Sequence, residues 1–265
     1  MSSLLTLRDK VALITGGGQG IGRHTALRFG AHGCRAVLIN DQDLERAETV
    51  AEEVRGLGVN AEALRADVTD LAAVREIVAR AIESHGTIDV LVNNAGNAGA
   101  NPPDDLDLPF WEAQPRSWDA HLRVNLYGVI NCVAACVPGM IAAQRGGRII
   151  TVVSDAGRVG EAGLEVYSAA KAGAAGLTRA VARTLGRHRI TANCVAMAAT
   201  VTPYTEGMFD NADPRLLKRM MDKYVIRRPG RPDDAANMVL FLASDASDWI
   251  TGQTYPVNGG FSFAL

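Results

Sequence analysis

Short aliphatic runs alternate with longer stretches of helical periodicity along the whole chain. The runs predict strands at residues 11–15, 35–39, 59–65, 88–92, 148–153, 190–195 and 254–257. The stretches between them predict helices at residues 20–32, 44–57, 70–85, 118–143, 165–188 and 232–244. Thr69 or Asp70 is the expected N-cap of the third helix. This alternation predicts an α/β fold, a doubly wound parallel sheet of about seven strands with helices on both faces.

The chain of 265 residues shows no break in composition and no internal repeat, so a single domain is expected. Two segments, residues 97–115 and 200–231, look irregular and loop-like. Both follow predicted strands, and segments at the carboxyl ends of parallel strands build binding sites.

Composition narrows the classes of function. A formal net charge of -2 gives no basic footprint for a nucleic acid. The four cysteines include no closely spaced pair typical of a zinc or redox site, so no metal is expected and a reducing, cytoplasmic location is predicted.

Two segments bear on membrane association. The N-terminal residues 1–10 lack the pattern of a signal peptide. Residues 124–143 are long and apolar enough to span a membrane, but they contain Asn125, Asn131 and Pro138. We expect a helix buried within the protein there, and no membrane partner.

A glycine-rich turn follows the first predicted strand and opens the first predicted helix. Residues 15–22 read Thr-Gly-Gly-Gly-Gln-Gly-Ile-Gly. Glycine lets the backbone turn tightly and approach a diphosphate, and the free N–H groups of the following helix face that anion. In this context the turn predicts a dinucleotide site, although its spacing differs from Gly-x-Gly-x-x-Gly.

The end of the second predicted strand indicates which dinucleotide binds. Asp41 lies 19 residues beyond Gly22. A carboxylate there accepts hydrogen bonds from ribose hydroxyls and repels a 2′-phosphate, which favours NAD over NADP. Arg23, just past the turn, weakens this argument slightly, and capping of the next helix is the alternative role for Asp41.

Ser154, Tyr167 and Lys171 form the predicted catalytic group. Tyr167 and Lys171 are four residues apart, so they share one helix face, and Ser154 ends a strand. Tyrosine has a pKa of about 10, and lowering it by about 3 units requires about 4 kcal/mol. A cation about 4 Å away at an effective dielectric constant of about 20 supplies about that much. We therefore expect Lys171 to lower the pKa of Tyr167 and Ser154 to hold the reacting oxygen.

At this point the sequence resembles the short-chain dehydrogenase/reductase family along almost its whole length. The matching motifs are the glycine turn, Asp67-Val68, Asn93-Asn-Ala-Gly96, Val124-Asn125, the Ser/Tyr-x-x-x-Lys group, Ile250-Thr-Gly-Gln253 and Gly259-Gly260. The resemblance implies a Rossmann-type domain, a nicotinamide cofactor, and a homotetramer or homodimer.

The resemblance also implies roles for individual residues. The catalytic set is Asn125, Ser154, Tyr167 and Lys171, with Asn125 holding a water linked to Lys171. The expected cofactor contacts are Gly16, Gln19, Gly20, Ile21, Gly22, Asp41, Asp67, Val68, Asn94, Ala95, Gly96, Tyr167, Lys171 and Thr202. The chain departs from the family after the sixth strand, where Met197-Ala198 replaces Pro-Gly, a change that removes no reacting group.

The substrate stays open at this level. Residues 203–224 correspond to the substrate lid and carry Tyr204, Met208, Phe209, Leu216, Leu217, Met220 and Met221, which favours a lipophilic alcohol or ketone. Nearby Arg215, Lys218, Arg219 and Lys223 could meet the phosphates of an acyl-CoA. A hydroxyacyl or ketoacyl thioester is the favoured substrate, followed by a steroid-like alcohol and then by a sugar or polyol. A cofactor-binding scaffold or sensor without turnover is the alternative from another class.

Overall fold

The seven predicted strands form one parallel sheet. A computed structural model of the chain describes residues 4–97, 103–105 and 108–263. The strands are β1 (Val11–Thr15), β2 (Ala36–Asp41), β3 (Asn60–Arg65), β4 (Val90–Asn93), β5 (Gly147–Ser154), β6 (Ile190–Met197) and β7 (Thr254–Val257). Their order is β3-β2-β1-β4-β5-β6-β7. The order reverses between β1 and β4, and the crevice at such a point is where open α/β sheets bind ligands.

Helices cover both faces of this sheet, as the alternating pattern predicts. They are α1 (Gly20–Ala31), α2 (Leu44–Arg55), α3 (Leu71–His85), α4 (Pro115–Leu122), α5 (Gly128–Ala143), α6 (Ala156–Val159), α7 (Glu165–Leu185), α8 (Glu206–Asp210), α9 (Pro214–Met221) and α10 (Pro232–Ala243). Asp70 is the N-cap of α3, accepting hydrogen bonds from Ala72 and Ala73. The predicted α/β class is confirmed.

Alternate side chains of each strand point to opposite faces of the sheet and pack into two separate hydrophobic cores. Leu13 of β1 packs with residues of α3, α5 and α7, whereas Ile14 packs with residues of α1, α2 and α10. Aliphatic runs buried on both faces explain why the strands read as continuous apolar segments.

Two strands extend further than their aliphatic runs predict. β2 continues to Asp41, which pairs with Arg65, and β5 continues to Ser154, which pairs with Met197. Pairing with a neighbouring strand extends each ladder into polar residues, which the local hydrophobic pattern cannot show. The extension fixes both side chains at the carboxyl edge of the sheet.

The long helix predicted over residues 118–143 begins earlier and is interrupted. Pro115 starts α4, and a π-helical turn, Arg123–Tyr127, separates α4 from α5. The helical stretch Pro115–Ala143 is long and apolar enough to cross a membrane, and 33% of the residues in its most apolar window are buried. The expected burial therefore holds for one face only, since Tyr127 and Ile130 are exposed.

The two irregular segments differ from the prediction in different ways. The segment predicted as loop-like at residues 200–231 contains α8 and α9, and the Asp213 carboxylate caps α9 through the N–H of Arg215. The 97–115 segment falls partly outside the described residues, at 98–102 and 106–107. In its described part, the Asp105 carboxylate accepts hydrogen bonds from the Gln114 N–H and the Ser117 hydroxyl. These contacts fasten the segment to the start of α4.

Candidate functional site

A cleft of about 1660 Å³ runs along the carboxyl edge of the sheet. One end lies against the glycine turn and the end of β2, and the other end lies against the Ser154 loop, α7 and the segment predicted as the lid. The strand ends of one sheet therefore bring the predicted cofactor and catalytic groups to a single continuous cavity. Among the described residues, no cluster of His, Cys, Asp or Glu has the arrangement of a metal site.

The glycine turn connects β1 to α1, and it packs too closely at Gly22 for any side chain. A Cβ placed on Gly22 would lie 2.3 Å from the Gly16 carbonyl oxygen, so only glycine allows the turn to close. Gly16, Gln19, Gly20 and Ile21 line the cleft. Gln19 is the N-cap of α1 but gives no side-chain hydrogen bond to the helix. The helix therefore begins at the cleft, where its first N–H groups can meet an anion.

The end of β4 holds this turn in place. The Asn94 amide donates hydrogen bonds to the carbonyls of Thr15 and Gly16, at 3.0 and 2.9 Å. The Thr15 hydroxyl accepts the N–H groups of Asn94 and Ala95, each at 3.1 Å. Ala95 and Gly96 line the cleft. The Asn94 side chain is thus used to fix the turn, which the family motif alone does not reveal.

Asp41 lies at the far end of the cleft and is only 6% exposed. One carboxylate oxygen accepts the Gly18 N–H at 3.1 Å. The other accepts the Asp43 N–H and pairs with the Arg46 guanidinium, each at 3.1 Å. Sequence reasoning missed Arg46, although its place five residues after Asp41 in the first turns of α2 was the available signal. The arginine partly neutralises the carboxylate.

Two further arginines, Arg23 and Arg65, lie near the Asp41 end of the cleft. Arg23 forms a two-point ion pair with Glu53, with distances of 2.8 and 2.9 Å, so its guanidinium is already engaged. Arg65, at the end of β3, lines the cleft and is exposed. Arg23, the cation near the turn, is therefore bound to Glu53 of α2. Arg65 is a further cation at this end, and the sequence did not indicate it.

Asp67 and Val68 follow β3 and also line the cleft. The Asp67 carboxylate accepts the Thr69 N–H at 2.8 Å. Val68 is buried, and its carbonyl accepts a 2.9 Å hydrogen bond from the Asn131 amide of α5. Both residues stand where the resemblance expects an adenine contact.

Ser154, Tyr167 and Lys171 meet at the other end of the cleft. Ser154 ends β5, and α7 carries Tyr167 and Lys171 one turn apart. The Lys171 ammonium nitrogen lies 5.8 Å from the centre of the Tyr167 ring and donates a 3.0 Å hydrogen bond to the Val152 carbonyl. The Ser154 hydroxyl accepts the Ala156 N–H at 3.2 Å. The arrangement sets a hydroxyl, a phenol and an ammonium group along one wall.

The pKa values differ from the simple expectation of a tyrosine acidified by lysine. Burial raises the pKa of Tyr167, while its interaction with Ser154 opposes the rise and the nearby Glu161 adds to it. Burial lowers the pKa of Lys171 to about 8. Desolvation is the largest influence on both pKa values, and it disfavours the charged form of each group. The predicted lowering of the tyrosine pKa is therefore absent from the protein alone.

Asn125 lies in the π-helical turn and is completely buried. Its amide donates hydrogen bonds to the carbonyls of Asn97 and His121, at 2.7 and 2.9 Å. Its Oδ1 is buried and has no hydrogen-bond partner among the described residues. A Cβ placed on Gly96 would lie 3.2 Å from this oxygen and 3.4 Å from the Lys171 ammonium nitrogen. The two groups therefore approach the same side of Gly96.

His121 is a site residue that the sequence analysis missed. Its ring stands edge-on to that of Tyr167, with 5.9 Å between the ring centres, and it lines the cleft. Burial lowers the pKa of His121, which favours the neutral imidazole. Its position one helical turn before Asn125 was the available signal.

The loop after β6 keeps its place although Met197-Ala198 replaces Pro-Gly. Met197 still pairs with Val257 of β7. A Cβ placed on Gly20 would lie 3.5 Å from Cβ of Thr202, so the threonine lies directly beside the glycine turn. The substitution therefore leaves Thr202 at the cleft.

The lid and the C-terminal segment form the apolar end of the cleft. The lining side chains there include Tyr204, Met208, Met220, Tyr224 and Phe261, together with Lys223 and Glu161. Phe261 packs against Tyr224, with 5.1 Å between the ring centres. The sequence analysis did not assign Phe261 or Glu161 to the site.

Comparison with known proteins identifies the family. Residues 16–262 match a family model described as enoyl-(acyl carrier protein) reductase. The chain is 39% identical over 251 residues to the 3-oxoacyl-[acyl-carrier-protein] reductase of Staphylococcus aureus, covering 95% of this chain and 97% of that protein. It is 41% identical over 256 residues to a (2S)-[(R)-hydroxy(phenyl)methyl]succinyl-CoA dehydrogenase subunit of Thauera aromatica, covering 97% and 98%.

A solved structure agrees with these relatives. The 7 alpha-hydroxysteroid dehydrogenase in complex with NADH and 7-oxo glycochenodeoxycholic acid superposes with a TM-score of 0.87 at 32% identity. The match covers 97% of this chain and 96% of that structure. The fold, the cleft and the relatives together show that the chain belongs to the short-chain dehydrogenase/reductase family of oxidoreductases.

Proposed function

We propose that this protein is an NAD(H)-dependent oxidoreductase that interconverts a secondary alcohol and a ketone on a 3-hydroxyacyl or 3-oxoacyl thioester. The observation that carries the proposal is that Ser154, Tyr167 and Lys171 share one cleft with the glycine turn. A proton-transferring group and a dinucleotide-binding turn in a single cavity are what coupled proton and hydride transfer requires.

The cleft fits a nicotinamide dinucleotide. The turn closed by Gly22 would hold the diphosphate, and Asp41 would accept hydrogen bonds from the adenosine ribose. Val68 would border the adenine, and Thr202 and Lys171 would hold the nicotinamide end. When bound, the nicotinamide supplies or accepts the hydride. The remaining steps belong to residues of the chain.

The charges around Asp41 support NAD rather than NADP. The Arg46 guanidinium is within 3.1 Å of Asp41 and 3.3 Å of Asp43, so one cation is shared by two carboxylates. Asp41, Asp43 and Arg46 together keep a net negative charge, which repels a 2′-phosphate, while the exposed Arg65 at the end of β3 opposes this repulsion. Arg23 is engaged by Glu53 and does not alter this balance.

Tyr167 is the proposed general acid and base. Its raised pKa keeps it protonated in the protein alone, which suits donation of a proton to a ketone oxygen. Ser154 would hold the same oxygen, and Lys171 would stabilise the phenolate that remains. The unpartnered Oδ1 of Asn125 can accept a hydrogen bond from a water on the Lys171 side of Gly96.

The apolar end of the cleft supports a lipophilic substrate. Met208, Met220 and Phe261 provide apolar surface for an acyl chain, and Lys223 at the cleft supplies a cation for a phosphate of the thioester carrier. Two relatives are named for reactions of thioester-bound substrates. A steroid-like alcohol is the second candidate because a structural relative was solved with a bile-acid ketone.

A substrate panel tests this proposal. The purified protein is assayed with NADH and NADPH against 3-oxoacyl-CoA thioesters, steroid ketones and sugars, and in reverse against the alcohols. Consumption of NADH with the thioesters is the expected result. Turnover restricted to polyols, or tight NADH binding without turnover of any compound, would overturn it in favour of a polyol dehydrogenase or a cofactor-binding scaffold.

We further propose a homotetramer or homodimer in the cytoplasm. Tyr127 and Ile130 are apolar and exposed on the long helix, where a second copy would cover them. All four cysteines are free and buried, which suits a reducing compartment. Light scattering that gives the mass of a single chain would contradict the oligomer.

A further inference from the structure

The C-terminal segment, residues 258–263, closes one side of the cleft. Its Phe261 lines the cavity and packs on Tyr224. The Tyr224 hydroxyl accepts the Ala199 N–H at 3.1 Å, which joins this aromatic pair to the loop after β6. Glu161, Tyr224 and Tyr167 all line this cleft, so the wall formed by the aromatic pair and the proposed proton donor belong to the same cavity.

Asp155 fastens this segment to the loop of Ser154. It directly follows Ser154 and is only 1% exposed. One carboxylate oxygen accepts hydrogen bonds from the Asn258 amide at 2.5 Å and from the Ser262 hydroxyl at 3.0 Å. The other pairs with Arg158 at 2.5 Å. A buried carboxylate is stable only when it is paired and hydrogen-bonded, and here two of its three side-chain partners belong to the C-terminal segment.

Arg158 strengthens the same connection from the other side. Its guanidinium donates hydrogen bonds to the Ser262 hydroxyl at 2.8 Å and to the Phe263 carbonyl at 3.1 Å. The Asp155–Arg158 pair therefore forms hydrogen bonds with residues on both sides of Phe261. No other role for this buried ion pair follows from the reaction described above.

The segment is also attached to Val225 and Ile226, which directly follow the lid. The Ile226 N–H donates a 2.8 Å hydrogen bond to the Gly259 carbonyl. Gly260 has a φ of 78°, and a Cβ there would lie 2.8 Å from Cβ of Val225, so glycine is required for this close approach. The segment thus bridges the lid and the loop that carries Ser154.

We propose that Asp155 is a positioning residue and Phe261 a specificity-determining residue. The Asp155–Arg158 pair holds the C-terminal segment so that the Phe261 ring closes the substrate end of the cleft and limits the size of the group bound there. The proposal rests on the proposed function only in that the substrate occupies this end of the cleft.

The first experiment compares Phe261→Ala with wild type across 3-oxoacyl thioesters of increasing chain length and bulk. The ratio of kcat/KM for bulky to small substrates is expected to rise about tenfold, because removing the ring opens space for additional apolar groups. Phe263→Ala is the matched control, since Phe263 is 72% exposed and does not line the cleft. An unchanged ratio in Phe261→Ala, or an equal rise in the control, would overturn the role of Phe261.

The second experiment tests the connection itself. Asp155→Asn removes the ion pair. Ser262→Ala changes no residue of the Ser154 loop, but it removes the hydroxyl that donates to Asp155 and accepts from Arg158 and Asn258. Both variants are expected to shift the same ratio in the same direction as Phe261→Ala, and to speed hydrogen exchange in residues 258–263 while NADH affinity stays unchanged. Normal exchange in both variants, or an equal loss of kcat for every substrate, would overturn the positioning role.

The two proposals fail in different ways. If wild type turns over no thioester or steroid ketone, the proposed function fails, while the hydrogen-exchange result still decides whether Asp155 holds the segment. If wild type is active and the ratio does not change in Phe261→Ala, only the specificity role fails.

Discussion

Lys171 and Tyr167 lie one helical turn apart, with the lysine ammonium nitrogen 5.8 Å from the centre of the tyrosine ring. Burial acts on both, raising the pKa of Tyr167 and lowering that of Lys171 to about 8. In the protein alone, the phenolate of Tyr167 and the ammonium of Lys171 are therefore both less favoured than the four-residue spacing suggests. Desolvation is the largest influence on the pKa of each group.

Tyr167→Phe is expected to reduce turnover by about 10²–10⁴-fold, the usual contribution of a general acid or base. The phenyl ring keeps the packing against His121, so NADH affinity should remain near that of wild type. Steady-state rates and NADH fluorescence titration measure the two effects. A variant with near-normal kcat would remove Tyr167 from the mechanism.

Lys171 should make stability depend on pH in a defined window. Its pKa is lowered from 10.5 to about 8, so between these values the folded protein has released a proton that the unfolded chain still binds. The unfolded state then holds more protons, and stability rises with pH across this window. The shift corresponds to about 3 kcal/mol of lost folding stability. This loss is constant at pH values below the pKa of Lys171 in the folded protein.

Urea unfolding of wild type and Lys171→Met measures this effect. The difference in unfolding free energy between the two proteins should change in favour of wild type as the pH rises from about 8 towards 10.5. Other groups that titrate in this range are common to both proteins and cancel. A difference that stays constant with pH would contradict the lowered pKa.

Asp41 and Arg46 should change cofactor preference in opposite directions. Asp41→Ala removes the carboxylate that repels a 2′-phosphate, and it frees Arg46 to attract one, so the kcat/KM ratio of NADPH to NADH should rise at least about tenfold. Arg46→Ala leaves Asp41 unneutralised and should lower the same ratio. Kinetics with both cofactors measure it, and two variants that shift it in one direction would refute the assignment.

Asn125→Ala should reduce both stability and turnover. The change removes two hydrogen bonds of the π-helical turn, at a cost of about 1–3 kcal/mol, and also the free oxygen near Lys171. Asn193→Ala is the control, because Asn193 is equally buried and bonds to the Ile250 and Gln253 backbone away from the cleft. If both variants lose stability but only Asn125→Ala loses turnover, the catalytic role is supported. Equal turnover in both would reduce Asn125 to a structural residue.

The sequence predicted every strand of the sheet, and it placed Asp41 and Ser154 at the ends of two of them. Aliphatic runs locate the strands because burial on both faces demands apolar residues at every position. Asp41 and Ser154 are polar and lie beyond the aliphatic runs, and the structure shows that their backbones pair with Arg65 of β3 and Met197 of β6. The π-helical turn around Asn125 was not predicted from the sequence.

Two of the residues missing from the sequence prediction, Asp155 and Phe261, belong to no short motif. Each gains its role from residues distant in sequence. Asp155 illustrates the point, because its partners Asn258 and Ser262 lie 103 and 107 residues away. Local patterns carry no information about such pairs.

By itself, the sequence determined the alternation of strands and helices, the glycine turn, and the spacing that places Tyr167 and Lys171 on one helix face. These features depend on local backbone geometry and on burial, which are written in neighbouring residues. Only the tertiary structure decided the charge balance of Lys171 with Tyr167 and of Asp41 with Arg46, and the closure of the cleft by Phe261. Those properties depend on desolvation and on contacts between elements, which exist only once the sheet has brought its strand ends together.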